Sequence, residues 1–130
     1  MLKRKENGQS YIEFALVLPF LVLLVLGALD LGRGLNAHIV VTNAAREGAR
    51  YGAAHSSDIA GIKARAIQET TGTGVTISEA DIAVTYPAGN QNPGSPIRVT
   101  VTHNFQLIVL WIFTSQTIPI RADSEMEIIQ

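Results

Sequence analysis

Residues 8–29 read GQSYIEFALVLPFLVLLVLGAL. From Phe14 to Leu29 there is no charge and no hydrogen-bonding side chain. As a helix, that run rises about 24 Å, slightly short of a hydrocarbon core of about 30 Å. Residues 9–13 supply the missing length and bring one carboxylate, Glu13, close to the membrane interface. Lys3, Arg4 and Lys5 stand ahead of it, and positive charge flanking a span marks its cytoplasmic side. The expectation is a single-pass anchor, N-terminus inside, that delivers about 100 residues to the far side.

Two other readings of an apolar N-terminal stretch are weaker. A cleaved secretory signal needs small residues just before the cut, and Leu26 with Ala28, or Gly27 with Leu29, meets that need poorly. The core helix of a small soluble protein carries a polar stripe, and residues 14–29 have none.

Beyond Asp30 the helical pattern continues. Leu31, Leu35, Ile39, Thr42, Ala45, Ala49 and Gly52 or Ala53 recur at three- and four-residue spacing, one face of a helix. One helix from about Gln9 to Ala54, about 69 Å long, is the simplest reading. Pro19 strains it, because proline donates no amide and leaves the Ala15 carbonyl without its usual partner; a kink is expected there. Gly27, Gly32 and Gly34 each cost about 1 kcal/mol relative to alanine and suggest a hinge at the membrane surface. Small residues then fall four apart, as Ala44, Gly48, Gly52 and as Ala45, Ala49, Ala53. Such a face admits close approach of another backbone, either the protein's own sheet or a neighbour's helix.

Ser56-Ser57-Asp58 stops the long helix and offers caps for a second. Ile59, Ile62, Ala66 and Ile67 form its apolar stripe, and Gly72 terminates it beyond Thr70. Strands follow. Residues 81–86 alternate, 87–96 form a Gly/Asn/Pro loop, and Ile97, Val99, Val101 and His103 alternate with Arg98, Thr100, Thr102 and Asn104. In the last stretch Ile118, Ile120, Ala122, Ser124, Met126 and Ile128 share a face opposite Arg121, Asp123, Glu125 and Glu127. An antiparallel sheet of about three strands, packed on the long helix, satisfies these patterns.

Chemistry is mostly excluded. The net charge of −1 gives no electrostatic case for nucleic acid. With no cysteine there is neither a disulfide framework nor a thiolate metal site. His38, His55 and His103 share no metal-ligand spacing and no triad context. Gly72-Thr-Gly74 precedes a strand-like segment, whereas a phosphate loop opens a helix. Asp123, Glu125 and Glu127 read as a solvated face balanced by Arg98. The expectation is a protein that is not an enzyme and needs no cofactor or metal.

Residues 107–113, LIVLWIF, form the second informative stretch. Seven apolar residues are too few to span a bilayer. They read either as a buried strand or, because a thin layer buries only one side of such a segment, as an exposed patch. On the second reading Trp111 and Phe113 meet partner subunits or the membrane surface.

The order of residues at the front of the anchor is more specific than its hydrophobicity. A short basic leader ends in Gly8, a polar residue follows, and Glu13 stands fifth after the glycine beside Phe14. This resembles the class III signal of type IV pilins, whose leader peptidase cuts after that glycine. Residues 8–19, then Asp30-Leu-Gly-Arg33, then residues 42–51 (TNAAREGARY), resemble the TadE-like pseudopilin family. The resemblance covers roughly the first 55 residues; together with the patterns above it gives the expectation of an α+β fold, a long N-terminal transmembrane, pilin-like helix on a small antiparallel sheet with one extra short helix. It divides the chain into a leader at 1–8, a transmembrane half-helix at 9–29 and an extracytoplasmic domain at 30–130. It also implies processing between Gly8 and Gln9 by a prepilin peptidase. Partners would be the protein itself or other pilin-like subunits, Tad pilus membrane assembly components and membrane lipid. Subunit contacts are expected at Glu13, Phe14 and Pro19, at Ala45, Gly48, Ala49 and Gly52, and at Trp111 and Phe113. In the resembling pilins Glu13 would meet the new α-amino group of a neighbour, here that of Gln9. The function implied is a structural subunit that assembles, or is built into, a Tad-type pilus. A main repeating pilin and a monomeric membrane-anchored binding module are the alternatives.

Overall fold

The structure is a computed structural model describing residues 7–112 and 114–129. Residues 1–6 of the expected leader and Phe113 lie outside the described residues. Helix α1 runs unbroken from Asn7 to Ala54, 48 residues, or about 72 Å. It continues through Pro19, Gly27, Gly32 and Gly34, so none of the four ends the helix. The apolar run explains this: where no water competes, a helix is the one local structure that satisfies its own amides.

Only the second half of α1 carries the folded head. Ala37, Val40, Val41, Ala44, Ala45 and Ala49 are buried against the sheet and the second helix. Leu31, Leu35 and Ile39, part of the leading apolar stripe in the sequence, are instead 66%, 58% and 58% exposed. The buried face is the one with small residues because the sheet approaches closely. A Cβ at Gly48 would lie 3.2 Å from Val99 Cγ1, and one at Gly52 would lie 2.6 Å from Ile97 Cδ1.

Helix α2 spans Ile59–Gln68 and turns Ile62 and Ala66 into the core. Asp58 caps it by accepting the Gly61 amide at 2.9 Å, and the Tyr51 hydroxyl of α1 donates to the same carboxylate at 2.9 Å. The Gly61 amide bond, followed by the Tyr51 bond, holds the Asp58 carboxyl below its ordinary pKa. Gly72 and Gly74, with φ of 78° and 80°, turn the chain away after α2. Here glycine is required, since other residues adopt positive φ only with strain.

A single 3₁₀ turn at Glu79–Asp81 leads into strand β1, Ile82–Thr85. Strands β2, Pro96–Phe105, and β3, Ile118–Glu127, complete an antiparallel sheet of order β1-β2-β3. The register pairs Ile82 with Val101, Ile97 with Met126 and Phe105 with Ile118. Period-two alternation sends Ile97, Val99 and Val101 into the core, all fully buried. On the outer face Arg98 donates to Glu125 through Nε at 2.9 Å and Nη2 at 2.7 Å. The C-terminus is tied down where the Ile129 amide donates to the Ala53 carbonyl at the end of α1.

Between β2 and β3 lies a one-turn helix α3, Ile108–Trp111. This corrects the reading of residues 107–113 as a buried strand. The sheet is already paired from Phe105 to Ile118, and the segment leaves it to reach back to α1.

Candidate functional site: the exposed helix and its junction with the head

Two surfaces stand out, the bare half of α1 and the place where α3 meets it. Along the first, Tyr11, Ile12, Phe14, Leu16, Phe20 and Leu24 are all exposed. None of the apolar window that makes α1 long enough to cross a membrane is buried in the chain. Gly8 opens this surface with open space around it, and Pro19 sits in its middle, exposed. Gln9 and Glu13 are brought together one turn apart, the Gln9 amide Nε2 donating to Glu13 Oε1 at 3.2 Å. That partner is a neutral amide and supplies no countercharge.

The expected contact face at Ala45, Gly48, Ala49 and Gly52 requires correction. All four are buried inside the chain, and at Gly48 and Gly52 β2 and α2 come so close that an added Cβ would crowd Val99, Ile97 and Ile62. The head itself occupies this small-residue face and leaves no room for a neighbour's helix. Of the remaining contact residues, Trp111 is 67% exposed, and Phe113 lies outside the described residues.

The junction depends on a residue whose role the sequence did not reveal. Asp30, only 3% exposed, is the first charge after the apolar run. Its Oδ1 accepts the Ile108 amide at 2.9 Å and its Oδ2 the Val109 amide at 3.0 Å. Arg33 Nη1 donates to the same Oδ1 at 2.9 Å and reaches the Gln106 carbonyl at 3.4 Å. The Arg33 guanidinium also sits 5.0 Å from the centre of the Phe105 ring, within cation–π range. One carboxylate on α1 therefore caps the first amides of α3, groups that a short helix cannot satisfy internally. A buried carboxylate is tolerable only with such a full set of donors. Position 30 reads simply as a boundary in the sequence because its partners lie 78 and 79 residues away.

Asp30→Ala should free α3 while leaving the sheet in place. The amides of Ile108 and Val109 should then exchange hydrogen roughly 10- to 100-fold faster, the equivalent of charge-assisted bonds lost. The amides of Val99 and Val101 should keep their protection. Unchanged exchange at 108 and 109 would contradict the capping role.

Next to this clamp is an open groove of about 680 Å³, walled by Gly27, Leu31, Leu35, Leu107, Leu110 and Ile118. Its lining is almost wholly apolar. Trp111 and Ile112, which follow Leu110 in the chain, are 67% and 57% exposed.

A family model described as TadE-like protein matches residues 8–50. The match covers the bare half of α1, the Asp30–Arg33 corner and most of the face buried under the sheet. Neither the comparison with curated proteins nor that with solved structures finds a match. The matched segment coincides with the one long apolar helix found among the described residues, and the two observations agree on a single-pass, membrane-anchored protein. Over residues 8–50 the chain is thus similar to TadE-like proteins, and the similarity lies in this helix.

Proposed function

We propose that the chain is a structural, non-catalytic subunit that acts in the assembly of a Tad-type pilus or is built into it. The observation that carries this reading is the division of α1. Its first half is bare and apolar, and the head folds only on the second half. A helix that served as an anchor alone would have no need for exposed Leu35 and Ile39 beyond the membrane. In an assembly these residues extend the contact surface out of the bilayer and along the same helix.

Processing and partners belong to this proposal. A prepilin peptidase would cut between Gly8 and Gln9, with Lys3, Arg4 and Lys5 on the cytoplasmic side and the head outside. The cut would create an α-amine at Gln9, largely protonated at neutral pH since its reference pKa is about 7.7–8.0. The partners would be further copies or other pilin-like subunits, together with the membrane components that assemble them.

Mass spectrometry of the protein recovered from its own cells tests both parts. The expected species begins at Gln9 and co-purifies with pilin-like subunits. Full-length chain in the assembled fraction would contradict processing. A chain recovered solely as a membrane monomer would contradict the function.

A further inference from the structure

The junction surface supports a specific contact with lipid. We propose that residues 107–112 form an interfacial foot, with Trp111 and Ile112 seating the head in the headgroup layer of the membrane that α1 crosses. The proposal rests on α1 being a membrane span and is independent of assembly into a pilus.

Height comes first. If residues 9–29 fill the hydrocarbon core, at about 1.5 Å per residue, Asp30 stands at its edge. The headgroup layer extends some 5–7 Å further on that side, which is about four helical residues. α3 cannot lie elsewhere, because its first two amides are bonded to the Asp30 carboxylate at 2.9 and 3.0 Å. The clamp thus fixes α3 at the level of the headgroups.

Chemistry comes next. Tryptophan is enriched at this level because its ring is apolar and its N–H remains hydrated. Trp111 is 67% exposed, Ile112 57% and Ile118 48%, a poor arrangement in water. Among the described residues the other large exposed hydrophobics lie on α1 itself, apart from Ile59 and Ile129. The loop at residues 87–94, PAGNQNPG, is by contrast exposed with no large apolar side chain beyond its prolines. The apolar groove between α3 and α1 begins at Gly27, inside the span, and so makes the foot continuous with the membrane-facing surface. The Asp30 charge does not oppose this seat, since it is buried and fully bonded within the protein.

Trp111 is the sole tryptophan of the chain, so its fluorescence reports the foot alone. The full chain would be reconstituted at high dilution in phosphatidylcholine vesicles whose acyl chains carry bromine either near the headgroup or deep in the core. Emission should shift to shorter wavelength and be quenched roughly twofold or more, more strongly by the shallow bromine. Ile112→Glu should weaken the quenching while the Val99 and Val101 amides remain protected from exchange. Unquenched emission at the wavelength of a hydrated indole would overturn the proposal. So would a blue shift that grows with protein-to-lipid ratio without bromine quenching, because the occupant would then be a second copy. Quenching unaffected by Ile112→Glu would also overturn it. None of these results depends on whether a pilus forms.

Discussion

Glu13→Ala is expected to leave α1 in the membrane and to lower assembly at least about tenfold. The carboxylate lies in the apolar half of the helix on an exposed residue, and its partner in the chain is the Gln9 side-chain amide at 3.2 Å. A charge near the middle of a span costs about 2.5–3.5 kcal/mol on insertion scales and less towards the interface. Alanine removes that cost, so insertion should be intact or improved. Assembly should fall because a charge-assisted hydrogen bond between subunits contributes about 1.5–3 kcal/mol, roughly 10- to 100-fold in affinity. Glu13→Gln, which keeps hydrogen bonding without charge, should be intermediate. The yield of assembled material per inserted chain is the quantity to measure. A Glu13→Ala protein that assembles normally would remove Glu13 from the subunit contact.

Gly52→Leu should destabilise the head. A Cβ at this position would already lie 2.6 Å from Ile97 Cδ1 and 3.1 Å from Ile62 Cδ1. Leucine adds further carbons where β2 and α2 both press on α1, and overpacking a full core costs about 1–3 kcal/mol or more. For a head of about 100 residues, that lowers the melting temperature by roughly 5–20 °C. Gly32→Ala provides the control, since nothing lies within 4 Å of its Cβ and alanine favours the helix by about 1 kcal/mol. Circular dichroism melts of the two variants in micelles should therefore move in opposite directions or leave Gly32→Ala unchanged. A Gly52→Leu melt equal to that of the starting protein would show that the sheet does not press on α1 at this point.

These residues also show how far the fold was legible in the sequence. The uninterrupted apolar run at residues 14–29 admits one secondary structure, and the strict alternation from Ile118 to Ile128 admits another, so the anchor helix was readable from its length and the sheet from its period. The face of α1 that meets the sheet was harder. Leu31, Leu35 and Ile39 carry more apolar surface than Ala37, Ala44 and Gly48, but the sheet selects the face that allows the closest approach. Hydrophobicity alone ranks those two faces the wrong way round. The small-residue spacing was read correctly as a site of close packing, and only the structure assigns it to the chain's own sheet and α2.

The candidate site divides in the same way. The order Gly8, Gln9, Glu13, Phe14 is local, and local order survives in sequence. Asp30 is different: its two amide partners lie near the C-terminal end of the chain, and nothing adjacent to either segment encodes their meeting. Residues 107–112 were ambiguous for a related reason. A run of apolar residues states that water is avoided, but it does not state which surface replaces water.

On the function proposed above, the bare half of α1 contacts other protein subunits as well as lipid. A direct test is a photo-crosslinking amino acid placed singly at Leu16 and at Leu24, both 69% exposed, in the full chain within its own cells. Protein adducts are expected from at least one of these positions, with a second copy or another pilin-like subunit, and should be lost when Glu13 is replaced by alanine. Adducts with lipid alone at both positions would contradict it, and would reduce α1 to a membrane anchor.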